Sequence, residues 1–68
     1  MTAKEKHTLK LLEYLENPEN KWLNRTELAK QVLGIGQDAM YRHFTGEEIT
    51  EIESQALERR RQRYKPML

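Results

Sequence analysis

The sequence predicts an all-α fold of four helices, and three observations carry that prediction. Apolar residues recur at three- and four-residue spacing in successive segments, the period of one face of an α-helix. Asn24-Arg25-Thr26-Glu27 and Thr45-Gly46-Glu47-Glu48 each have the side chains of a capping box at a helix start. Nothing alternates with period two, so a β-sheet has no support.

The first helix is expected over about 3–16. Leu9, Leu12 and Leu15, with Leu11 beside them, form its apolar stripe, and Lys4, Lys6, Lys10 and Glu13 fall mostly on the other side. Asn17-Pro18 stops it, because the residue before a proline is pushed out of the helical region and proline has no amide hydrogen. A polar loop runs to Lys21. Trp22 reads as core filler over the end of the first helix, with a stacking platform for bases as the alternative. Leu23, just before the Asn24 cap, is placed to pack on Leu28 as a hydrophobic staple.

The second helix is expected over about 25–33, with Leu28, Ala29 and Val32 inward and Glu27 reaching back to the cap. Leu33-Gly34-Ile35-Gly36 is read as a turn: Gly34 suits a left-handed cap, and Ile35 is an apolar plug between helices. The third helix spans about 37–44, anchored by Met40 and Phe44 four residues apart. The fourth is the longest, about 46–64, with Ile49, Ile52, Ala56 and Leu57 as its stripe, and Pro66 helps close it. Past Leu57 the stripe gives out and the helix turns cationic.

Sixty-eight residues are read as one domain, 1–68, too short to divide a core between two. Such a core supplies only about 3–5 kcal/mol without a further staple. There are no cysteines, which excludes disulfides and thiolate zinc sites. His7 and His43 lie far apart in sequence with no ligand spacing between them, so no metal or other cofactor is expected. His43 reads as a partly exposed polar residue. The start of the chain has no secretory signal, and no apolar run can span a membrane. A soluble protein of the cytoplasm, or the first domain of one, is the expectation. Ser54 has no nearby histidine, the glutamates show surface spacing, and Gly34-Ile35-Gly36 lacks a strand context. An enzyme is therefore not expected, nor a small-molecule substrate.

The net charge of +1 conceals a segregation along the fourth helix. Glu47, Glu48, Glu51 and Glu53 occupy its start, whereas Arg59, Arg60, Arg61, Arg63 and Lys65 crowd its end. Cations favour a helix C-terminus through the dipole, but consecutive arginines cover every side of the helix. They are read as nucleic-acid contacts or a basic linker, and the acidic half as pointing away from any phosphate.

The stretch from Leu28 to Phe44 has a short helix with a small residue at the crossing, a glycine turn with an apolar plug, and a helix mixing anchors with long polar side chains. That is the composition of a helix-turn-helix. The expected architecture is a three-helix helix-turn-helix core with a longer fourth C-terminal helix. Met40-Tyr41-Arg42-His43-Phe44 resembles the end of the recognition helix in tetracycline-repressor-type regulators. Here the turn holds one extra residue, Leu33 standing where those motifs have glycine, and Gly36 replaces the usual serine or threonine cap. The layout of a leading helix, a loop ending Trp22-Leu23, the motif and a helix turning basic resembles the N-terminal DNA-binding domain of phage terminase small subunits.

These resemblances imply binding to double-stranded DNA through the third helix. Gln37, Asp38, Tyr41 and Arg42 would face the groove, with Arg42 suited to a guanine edge and Gln37 to adenine. Asp38 would accept from a cytosine amine or hold Arg42. Tyr41 would either seal the core edge or touch the DNA backbone. Lys21, Arg25 and Thr26 are placed for phosphates at the start of the second helix. One near-neutral module binds weakly, so a homo-oligomer in a longer protein is expected, and Pro66-Met67-Leu68 is where such a protein would continue. Viral genome packaging in a bacterial or phage-infected cell is the specific reading. A transcriptional regulator and a helical protein-binding adaptor are the alternatives.

Overall fold

The computed structural model describes residues 1–63, so the expectations for Tyr64, Lys65, Pro66, Met67 and Leu68 lie outside the described residues. Four helices account for the architecture: α1 (Ala3–Glu16), α2, which opens as a single α-turn (Arg25–Glu27) and continues unbroken as a π-helix (Leu28–Leu33), α3 (Gln37–His43) and α4 (Gly46–Arg63). No strand occurs among the described residues. α1 packs chiefly on α4 and also meets the π segment of α2, against which α3 lies.

The starts of α1 and α4 carry full capping boxes. Thr2 and Glu5 form a full capping box: the Glu5 amide donates to Thr2 Oγ1 (3.1 Å) and the Thr2 amide to Glu5 Oε1 (3.2 Å). Thr45 and Glu48 do the same at α4. At α2 only half of the expected box forms. The Glu27 amide donates to Asn24 Oδ1 at 2.9 Å, but the Glu27 carboxylate instead accepts from the Gln31 amide one turn on.

One apolar cluster draws on every helix: Leu11, Leu12 and Leu15 of α1, Leu23, Leu28, Ala29 and Leu33, Met40 and Phe44, and Ile49, Ile52 and Ala56 of α4. Its membership corrects three expectations, each through helical register. On α1 the inward arc is centred between Leu11 and Leu15, and Leu9 falls outside it at 51% exposure, since each residue turns the helix by about 100°. On α4 the positions that continue the register of Ile49, Ile52 and Ala56 lead to Arg60. Leu57, at 42% exposure, faces outward, and the inward stripe is prolonged by an arginine.

The third correction is the π segment. A π-helix closes i→i+5 hydrogen bonds, so the residue stacked beneath Leu28 is Leu33, which is buried, while Val32 is only partly so. Leu33 therefore belongs to the helix and not to the turn. The extra residue is absorbed by widening α2. The helix stops at Gly34, which takes the left-handed conformation (φ 69°, ψ 27°) that only glycine adopts without strain. The amides of Gly34 and Ile35 both donate to the Ala29 carbonyl. Ile35 then packs against the core as a plug, and Gly36 caps α3 with backbone alone.

Candidate nucleic-acid interface

α3 is seven residues long, and its buried side is supplied by Met40 together with Phe44, the residue that ends it. That side fixes the other. Gln37, Asp38, Tyr41 and Arg42 are all exposed and share the outer face, because none falls in the arc of Met40 and Phe44. Four polar side chains of differing donor and acceptor character thus sit on one short rigid element.

The start of α2 adjoins this face through Arg25. Its Nη2 donates to Thr50 Oγ1 (2.9 Å) and to Glu53 Oε1 (3.0 Å) on α4, and its Nη1 lies against Gly46. The guanidinium is held above its ordinary titration range, first by the Tyr41 side chain and then by Glu53. Arg25, Tyr41 and Glu53 therefore form one polar junction between α2, α3 and α4. Glu53 is turned toward this junction and so toward the α3 face, whereas the acidic half of α4 was expected to point away. Thr26 is half-buried and Lys21 exposed; the Lys21 carbonyl accepts from the Tyr14 hydroxyl at 3.0 Å.

The arginines at the end of α4 have partners within the chain. Arg59 and Arg63 straddle Glu16 at the end of α1, at 2.9 and 3.2 Å. Arg60 Nε donates to the Leu15 carbonyl at 2.8 Å, and Nη2 donates to the carbonyls of Asn17 (3.0 Å) and Asn20. Its guanidinium also lies 5.1 Å from the Trp22 ring centroid, within cation–π range. Arg60 is in effect the C-terminal cap of α1. Only Arg61 of the four described arginines projects without a partner among the described residues.

Two residues separated by thirty-six positions in sequence are brought together unforeseen. His7 of α1 and His43 of α3 stack edge to face, with centroids 4.9 Å apart and planes at 66°. Sequence spacing held no signal for this pair, since the contact joins two helices far apart in the chain. His7 Nδ1 is buried with no hydrogen-bond partner. Its imidazole is held below its ordinary range by burial first, then by the nearby positive charge of His43 and of Lys10. No group of three or more metal-ligating side chains occurs among the described residues, nor does any helix long and apolar enough to cross a membrane. No family model, curated protein or solved structure matches the chain.

Proposed function

We propose that the chain is a DNA-binding module of helix-turn-helix type, with α2 as the bracing helix and α3 as the reader. The observation that supports this reading is the single exposed face of Gln37, Asp38, Tyr41 and Arg42, on a helix held from behind by Met40 and Phe44. Arg42 is the specificity contact: it is exposed, and a bidentate pair with guanine supplies about 1–3 kcal/mol of discrimination. Lys21 and the amides and side chains at the start of α2 are the phosphate contacts. The terminase-like layout makes genome packaging in a phage-infected bacterial cell the specific form of the proposal, with transcriptional control as its alternative. In either case, copies linked by self-association supply the avidity that one module lacks.

An NMR titration of the chain with random duplex DNA at low and moderate salt tests the reading. Shifts centred on Gln37–Arg42 and the start of α2, weakening with salt, are the expected result. Shifts confined to α1 and α4, or none at low salt, overturn it. The exposed Leu9 and Leu57 favour the second reading, a protein-binding adaptor, for which duplex DNA should cause no shifts even at low salt.

A further inference from the structure

We propose that the His7–His43 contact is an acid-sensitive latch between α1 and α3, so that proton uptake there loosens the helix that carries the reading face. The last step rests on the DNA-binding reading; the latch itself does not. Its geometry is unfavourable to a second positive charge. Two imidazoles stand 4.9 Å apart, edge to face, and a T-shaped ring pair is an attraction between neutral aromatic groups. His7 Nδ1 is out of contact with solvent and has no acceptor within reach. A proton placed there would be buried with no hydrogen-bond partner, a costly arrangement.

The surroundings do not compensate. From α3 the charge that bears on His7 is His43, and from α1 it is Lys10; both are cationic when protonated and both oppose protonation of His7. No carboxylate among the described residues contributes. Lys4, one turn earlier on α1, is paired with the Glu48 carboxylate of α4 and lies 5.9 Å from the Phe44 ring centroid, so the anion on that side is already engaged by a cation. The π segment of α2, also packed on α1, brings no charge to bear on His7. His43 is itself flanked by Phe44, at 6.4 Å between centroids.

The sign follows from linkage. The folded state binds the His7 proton less readily than the unfolded chain, so the neutral latch contributes its full stability above the ordinary imidazole range and loses it as pH falls through the lowered value. Carboxylates do not confuse this window. Glu48 is held below its ordinary range by Lys4 and by the Thr45 amide, so its contribution is lost only at more acid pH.

Urea unfolding between pH 8 and pH 5.5, with the histidine ring protons followed by NMR, tests the proposal. In the unaltered chain the unfolding midpoint falls across this range, and His7 titrates below a free imidazole. H7F, which fills the same space without titrating, abolishes most of that fall; H43Q moves the His7 titration back toward its ordinary position. A His7 that titrates like a free imidazole, or an H7F chain with the same pH response as the parent, overturns the latch. Duplex binding by the same samples separates the two readings. Absence of binding at pH 8, where the latch is closed, counts against DNA binding alone. Binding at pH 8 that persists unchanged at pH 5.5 while the fold weakens counts against the link to α3.

Discussion

Arg60 shows how much one side chain does when its position in a helix is read by register and not by charge. A guanidinium offers five donors in a rigid fork, and here three carbonyls receive them at the place where α1 ends and its last carbonyls have no helical partner. The Trp22 ring covers the same group. Charge-assisted hydrogen bonds of this kind are worth about 1.5–3 kcal/mol, and although the Asn17 carbonyl keeps the Asn20 amide, those of Leu15 and Asn20 lose the guanidinium. Arg60→Ala is therefore expected to destabilise the chain by about 2–3 kcal/mol in urea unfolding, a large part of what so small a core supplies. Arg60→Lys should lose most of this as well, because an ammonium cannot span three carbonyls. Arg61→Ala, one residue on and exposed, should lie within about 0.5 kcal/mol of the parent. Equal effects at the two positions would refute the capping role. On the exposed face of α3 the expectation is reversed: if the DNA-binding proposal holds, Arg42→Ala leaves stability unchanged and weakens duplex binding by about ten- to a hundredfold, measured by fluorescence anisotropy.

Among the elements, α2 departs furthest from what sequence patterns convey. Leu28, Ala29, Val32 and Leu33 fit an α-helical stripe closing at Val32 equally well, and only the packing of Leu33 against the core selects the wider π winding. The surplus residue before Gly34 and a second helix reaching about residue 33 were legible; that the helix would absorb the residue by π winding was not, because the competing hydrogen-bond patterns differ by one residue in ring size. The Thr45–Glu48 cap, the helix starts and the anchors Met40 and Phe44 were legible because they depend on local chemistry and on a period, whereas the Thr2–Glu5 box was not read and the Asn24 box forms only by half. The Arg60 cap, the Arg25–Tyr41–Glu53 junction and the His7–His43 contact were not legible, since each joins helices far apart in the chain. The turn after α2 gives a clean test of backbone over packing. Neither Gly34 nor Gly36 has any atom within 4 Å of where a Cβ would stand, but only Gly34 has a positive φ. Gly34→Ala should cost about 1–2 kcal/mol through the left-handed backbone. Gly36→Ala should cost less, since its φ is ordinary and the loss is confined to alanine's poorer N-capping, about 0.5–1 kcal/mol. Thermal unfolding of the two variants side by side decides it, and equal losses would mean that contacts and not φ set the penalty.

For the molecule as a whole, the deciding quantity is how much of its basic charge is free to meet phosphate. Twelve lysines and arginines imply more than the fold delivers. Lys4, Arg25, Arg59 and Arg63 are paired with carboxylates and Arg60 with carbonyls. This leaves Arg42 on the α3 face and Lys21 in the loop before α2 outside these pairings, while Arg25 is held by Glu53 and Tyr41. Each phosphate neutralised contributes about −0.9 to the slope of log K against log salt. A lone chain with Arg42 on a base edge and Lys21 on a phosphate should thus show a slope of about −1, a shallow dependence that goes with weak binding. The Arg25–Glu53 pair is partly solvent-exposed, and such pairs contribute about 0–1 kcal/mol, so breaking it need not unfold the chain. Glu53→Gln would keep a hydrogen-bond acceptor for Arg25 while removing an anion from the edge of the reading face. If α2 and α3 meet DNA as proposed, this variant binds duplex more tightly than the parent and its salt slope steepens by about one, the signature of one added phosphate contact. Glu58→Gln, the same change of charge on an exposed position further along α4, should leave the slope alone. A chain in which the two variants bind alike would mean that Arg25 never reaches the phosphates and that the DNA lies elsewhere on the surface.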